Sequence, residues 1–262
     1  MFKTLQEQML CATIRIEMIN DKETSMGSAT GFICQKGVNG DNKYYLISNK
    51  HVLLISNNLK LYFISKENDI PVFENYIETE SFNIEKNIIL HKDKEVDLAA
   101  VDITDLINVI FKQTFIYAVP YEMLGTFTEL ELNIASTIFF VGFPVIYDMK
   151  NNLPLMRTGI ISSHPAFNFN GLPQFVIDAQ VFPGSSGSPV FVDLTYEKFK
   201  YNNLDLTKRE YKLIGVISQT ITRGNVIKEL PATSTACIAE EIMGLGIVVK
   251  STKIRELLDT QQ

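Results

Sequence analysis

Cysteine is scarce in this chain: Cys11, Cys34 and Cys237 are odd in number and lie far apart. A disulfide framework of the kind that braces small secreted domains is not indicated, and the thiols are expected to be reduced. Cys34 lies in the apolar run Gly31-Phe32-Ile33-Cys34, where it reads as a small buried hydrophobe rather than a reactive thiol. Long apolar runs are missing too. The longest, such as Thr137 to Val145, falls far short of the roughly 20 residues a bilayer-crossing helix needs. Met1 to Asn20 carries Lys3 but then Gln6, Glu7 and Gln8, where a secretory leader would keep an unbroken apolar core; no leader is expected, and the protein reads as soluble and cytoplasmic. Basic runs are absent as well. The net charge of −6 is spread along the chain without a block of one sign, which argues against nucleic-acid and membrane partners.

What is present is an ordinary folded composition, 46% hydrophobic and 21% charged, which excludes disorder. Short apolar or alternating runs recur between turn residues: Ala12 to Met18, Gly31 to Cys34, Tyr44 to Ser48, Lys60 to Ile64, Ile88 to His91 and Leu98 to Ile103. A second series follows at Phe115 to Val119, Ser136 to Gly142, Gly159 to Ser162, Gln174 to Ala179, Ser188 to Phe191, Leu213 to Ser218 and Gly246 to Val249. Stretches of helical period are few, so the fold class is all-β. Many short strands punctuated by Gly, Pro and Asn suit closed barrels, and the length suits two. The expected organisation is an N-terminal barrel over 1–120, a linker over 121–133, a C-terminal barrel over 134–250 and a short C-terminal helix over 251–262. Ser251 offers a capping hydroxyl for that helix, and Ile254, Leu257 and Leu258 its apolar stripe.

Histidine is also rare, three in all, and this narrows the search for chemistry. A serine hydroxyl is a poor nucleophile until an imidazole takes its proton, and the imidazole needs an acid to orient it. His51 follows Tyr45-Leu46-Ile47-Ser48-Asn49-Lys50, a strand running into a polar turn, where a side chain can be held firmly; it is the expected base. His91 precedes the charged turn Lys92-Asp93-Lys94-Glu95 and reads as solvated surface. His164, before Pro165, is left unassigned. Asp97 stands between apolar residues at a strand edge, and a carboxylate so placed needs a partner; an imidazole meets that need. Ser186 lies in Gly184-Ser185-Ser186-Gly187-Ser188-Pro189, where the glycines permit a tight turn that exposes the hydroxyl. In such a turn the N–H groups of Gly184 and Ser186 would form an oxyanion hole.

These blocks resemble the chymotrypsin-fold, trypsin-like serine peptidases, and among them the protease domain of the Deg (high-temperature-requirement) family without its PDZ domain. Leu46 to Val52 resembles the histidine motif, Asp93 to Ala99 the aspartate motif and Asp178 to Pro189 the serine motif. Val141-Gly142-Phe143-Pro144, Thr158 to Ser162 and Gly244 to Val249 resemble further strands of the second barrel. The resemblance implies two six-stranded antiparallel barrels, a serine endopeptidase with His51, Asp97 and Ser186 as its triad, protein or peptide substrates, and no cofactor or metal. It departs at Ser185, where digestive relatives carry the aspartate that a new N-terminus pairs with on activation, so that switch is not expected. Ser188 stands where the family usually has a second glycine.

The resemblance also places the substrate pocket. Its floor, six positions ahead of the serine, is Gln180, which predicts a neutral or apolar residue before the cut. Ser218, Gln219 and Thr220 would form the wall that pairs with substrate backbone, with Gly246 alongside. Asp193 to Lys212 and Thr220 to Glu241 exceed what a barrel needs and are expected to project as loops; Glu240 or Glu241 turning inward would restore a basic preference. A regulatory protein partner that orders these loops, and a silent module that captures an extended peptide without cutting it, are the competing expectations. A bacterial source is suggested by composition and family likeness alone.

Overall fold

Apolar residues that alternate along the chain bury one face of each strand, and turn residues set where each strand ends. The computed structural model describes residues 4–38, 40–129, 132–144, 150–195, 210–228 and 236–260, with 223–228 and 236–241 as backbone alone. Helix α1 (Leu5–Ala12) leads into β1 (Thr13–Ile19), β2 (Ser25–Val38), β3 (Asp41–Ser48), the single helical turn α2 (Lys50–Leu53), β4 (Asn58–Glu67), β5 (Ile70–Glu78) and β6 (Phe82–Asn83). Then come β7 (Ile88–Leu90), β8 (Ala99–Asp102), α3 (Thr104–Ile110) and β9 (Val119–Pro120). The second series is β10 (Thr137–Gly142), β11 (Leu155–Ile161), β12 (Gln174–Asp178), β13 (Pro189–Asp193), β14 (Tyr211–Lys228) and β15 (Ala236–Lys250), ending in α4 (Thr252–Asp259).

The second series closes into the expected six-stranded barrel, in the order β10-β11-β12-β15-β14-β13. The first does not close. Its nine strands form an open sheet, β5-β4-β1-β2-β3-β8-β7, with β6 beside β4 and β9 beside β2 in parallel. The three-residue β7 is too short to complete a wall, and α3 stands in the gap instead. Ile107 of α3 is buried in the core of this sheet, and the chain leaving the helix bonds to β4 through Lys66 N–H to Gln113 O at 3.0 Å and Phe115 N–H to Ile64 O at 2.8 Å. The run Phe115 to Val119, expected as a strand, therefore contributes only Val119 to one.

Three cores follow. One fills the open sheet, one fills the closed barrel, and a third lies between them, where Phe32, Tyr45 and Val119 of the first unit meet Val141, Phe191 and Leu213 of the second. Each fully buried side chain of this size is worth about 1.5–3 kcal/mol relative to exposure, so this shared core fixes how the sheets face each other.

Two helices escape the sequence pattern. Helix α1 is started by a reciprocal cap, with the Thr4 hydroxyl accepting from Glu7 N–H and the Glu7 carboxylate accepting from Thr4 N–H. Helix α3, Thr-Asp-Leu-Ile-Asn-Val-Ile, is rich in β-branched residues; its start is set by the Asp102 carboxylate, which accepts from the Thr104 N–H and hydroxyl. At α4 the Ser251 hydroxyl does not cap the helix but donates to the Gly125 carbonyl at 2.8 Å. The stretch Thr220 to Glu241 is not a loop where it is described: β14 and β15 stay paired out to Lys228 and Ala236. Tyr196, Phe199 and Tyr201, and the side chains of Lys228, Glu240, Glu241 and Cys237, lie outside the described residues. Cys11 and Cys34 are buried free thiols, both pushed up to about 12 by desolvation.

Candidate active site

β3 ends at Ser48, and Asn49 turns the chain into α2, its carbonyl accepting from Val52 and Leu53 N–H. Val52 and Leu53 are buried, so the turn is anchored and His51 is carried on its outer side. Val96 and Leu98, both buried, fix Asp97 in the same way. The two meet: His51 Nδ1 is 2.7 Å from Asp97 Oδ2, and His51 N–H donates to Oδ1 at 3.1 Å. Because a carboxylate only accepts, this contact assigns a proton to Nδ1 and, in the neutral ring, puts the lone pair on Nε2. Asn49 Nδ2 donates to the Asp97 carbonyl at 2.9 Å, and the Ser218 hydroxyl donates to Oδ2 at 2.7 Å. Burial by itself would raise the Asp97 pKa; the hydrogen bonds from His51 and Ser218 outweigh it and hold the carboxyl below its ordinary value.

Ser186 sits on a turn that glycine makes possible. Gly184 and Gly187 both have φ of +89°, and a Cβ on Gly187 would lie 1.8 Å from the Thr30 carbonyl oxygen. Within the turn Ser185 N–H donates to Phe182 O and Ser188 N–H to Ser185 O, each at 3.0 Å. Gly187 N–H donates to Ile217 O at 2.9 Å, lacing the turn to β14. The N–H groups of Gly184 and Ser186 donate to no backbone carbonyl among the described residues. The Ser186 hydroxyl donates to the Ser218 carbonyl at 3.3 Å rather than to His51.

Thr30 of β2 joins this turn to the first sheet. Its N–H donates to Ser186 O at 3.0 Å, its hydroxyl donates to Gly184 O at 2.8 Å and accepts from Phe143 N–H at 2.9 Å, and its carbonyl accepts from the Ser48 hydroxyl at 2.7 Å. Nothing in the local sequence marks Thr30, Ser48, Asn49 or the bond from the Ser218 hydroxyl to Asp97, because the partners are remote in the chain. Ser188 is fully buried, and its Oγ would lie 2.0 Å from a Cβ on Gly142, so with serine at 188 the position 142 has room only for glycine.

Of the expected pocket residues, Gln180 is exposed on the segment leaving β12. β12 pairs with β15 and β15 with β14, which sets Gly246 opposite Thr220 and Ile247 opposite Gln219. A Cβ at Gly246 would be 2.6 Å from a Val181 methyl, so the absence of a side chain there lets the Gln180 segment pack down. Ser218 is buried, Gln219 exposed and Thr220 between. His91 is not on the surface: it is 8% exposed, its Nδ1 accepts from Asp93 N–H at 3.1 Å, and Nε2 faces Glu256 of α4 at 3.4 Å. The His164 ring lies 4.8 Å from that of Phe167, tilted by 58°. Among the described residues, no cluster of His, Cys, Asp or Glu could hold a metal, and no helix is long and apolar enough to cross a membrane.

The model of the trypsin-like peptidase domain matches residues 29–196, a span that holds His51, Asp97 and Ser186. Among solved structures, a thermostable serine protease, AL20, from an extremophilic microorganism aligns over 97% of this chain and 98% of its own, at 11% identity and a TM-score of 0.53. The active form of the Rv3671c protease from M. tuberculosis aligns over 97% and 82%, at 16% identity and a TM-score of 0.49. No protein of curated function matches in sequence.

Proposed function

Because the chain belongs to the trypsin-like peptidase domain family, we propose that it is a serine endopeptidase in which Ser186 attacks the peptide carbonyl, His51 moves the proton and Asp97 holds His51. The observation that carries this reading is the 2.7 Å contact of His51 Nδ1 with Asp97 Oδ2, on a sheet that Thr30 bonds to the serine turn.

In this reading His51 Nε2 takes the Ser186 proton as Oγ bonds to the carbonyl carbon, and the displaced electron pair rests on the former carbonyl oxygen. The N–H groups of Gly184 and Ser186 receive that oxyanion. His51 then protonates the leaving amine, and a water activated by the same Nε2 hydrolyses the acyl-enzyme. Asp97 stays ionised throughout and stabilises the imidazolium. The substrate backbone pairs with Ser218 to Thr220 as an added strand.

A resting form belongs to the same proposal. While Ser186 donates to the Ser218 carbonyl, its proton is not offered to His51, and the hydroxyl must leave that acceptor before attack. Substrate, or a protein partner acting on the loops beside the cleft, would supply that change. A fluorophosphonate probe tests the proposal: labelling of wild type and not of Ser186→Ala is expected, and absence of labelling with and without candidate protein substrates would overturn it.

A further inference from the structure

Arg157 makes no ion pair among the described residues. It lies on β11 opposite Phe140 of β10, with its guanidinium carbon 5.6 Å from the Phe140 ring centre and 4.6 Å from that of Phe182. Nη1 is buried and has no hydrogen-bond partner among the described residues. Burial is the one influence on its pKa, which it lowers, so no carboxylate among the described residues compensates the cation. A guanidinium nitrogen that has lost water without gaining an acceptor is costly to keep. Such a cost is accounted for by a partner that arrives from outside.

Its position indicates which partner. Phe182 belongs to the serine turn, where its carbonyl accepts from Ser185 N–H at 3.0 Å, and the residue is 37% exposed. Just past Arg157, a Cβ on Gly159 would come within 2.7 Å of the Ala179 Cβ, so β11 runs against the segment that carries Gln180. Arg157 thus lies on the strand that flanks the Gln180 segment, with the Phe182 ring against its guanidinium.

We propose that Arg157 is a specificity-determining residue that selects an acidic side chain, Asp or Glu, in the substrate residue seated against Gln180 and Phe182; this rests on the endopeptidase reading above. The planar guanidinium presents N–H groups in a fork that matches a carboxylate. The Phe182 ring keeps water from one face of that pair, which strengthens it. Gln180 is neutral and able to donate to the same carboxylate. The preference thus differs from the neutral or apolar one that Gln180 alone predicts, because the charge comes from β11 and not from the pocket floor.

Binding tests this without requiring cleavage. Ser186→Ala protein is titrated with fluorescent peptide libraries whose one fixed position is Glu, Gln, Leu or Arg. Glu is expected to bind on the order of tenfold to hundredfold more tightly than Gln. Arg157→Gln should abolish that difference while leaving Leu peptides unchanged, and Arg157→Lys should restore part of it. Equal binding of Glu and Gln, a Glu preference that survives Arg157→Gln, or no binding of any peptide overturns the proposal. Fluorophosphonate labelling of the wild type runs in parallel. Labelling without a Glu preference removes the role of Arg157 alone, whereas a Glu preference without labelling removes only the catalytic reading.

Discussion

The Thr30 hydroxyl donates to the Gly184 carbonyl at 2.8 Å, across 154 positions of sequence. The same oxygen accepts from Phe143 N–H, and Thr30 is fully buried. Thr30→Val keeps the shape but removes the donor to the part-buried Gly184 carbonyl and an acceptor of the buried Phe143 N–H. The expected cost is about 1–3 kcal/mol of stability, read from denaturant unfolding, with a fall in kcat as the serine turn loosens. Thr30→Ser, which keeps the hydroxyl, should recover most of both; a Val variant as stable and active as wild type would remove Thr30 from this role.

Asp97 takes hydrogen bonds from His51 and Ser218 on one oxygen and from the His51 N–H on the other. Asp97→Asn places an amide against Nδ1 and favours the wrong tautomer, so kcat on a peptide substrate should drop by about 10⁴. Ser218→Ala removes one charge-assisted bond and should lower kcat by roughly tenfold. Because the carboxyl is held below its ordinary 3.8, its contribution to stability is full above about that pH and is lost as pH falls below it. The acid limb of the unfolding curve should therefore move to higher pH in Ser218→Ala.

The serine turn permits no side chain at position 187. A Cβ there would be 1.8 Å from the Thr30 carbonyl oxygen and 2.4 Å from Ser48 Oγ, at a φ of +89°. Gly187→Ala should then cost more than about 2 kcal/mol. Thermal unfolding checks it, and an unchanged midpoint would show that the turn has room to shift.

The blocks around His51, Asp97 and Ser186 were legible in sequence because each couples a polar residue to its own strand end or glycine turn, a local arrangement. The closed barrel was legible for a similar reason, since alternation marks its strands. What sequence missed is non-local. Whether the first sheet closes depends on how α3 packs on the core and how the chain that follows it bonds to β4, and α3 itself is written in residues that favour strands. Thr30 and Ser48 matter through partners in another part of the chain. His91 illustrates the same limit: its charged neighbours suggested surface, while α4, far along the chain, covers it.

That cover gives His91 a measurable signature. Burial lowers its pKa, opposed by Glu256 at 3.4 Å and assisted by Lys253 of α4 and Lys50 of α2; the Asp93 N–H bonded to Nδ1 is the remaining polar neighbour. With a folded value below the ordinary 6.5, the unfolded chain binds the proton more readily. Stability is then full above about pH 6.5 and declines as pH falls through the folded value, a window above that of Asp97. His91→Gln should flatten the pH dependence of unfolding just below about pH 6.5 without changing stability near pH 8 by more than about 1 kcal/mol. If the Glu256 contact outweighed burial, wild-type stability would instead rise on acidification, and the comparison of the two proteins across this window decides between them.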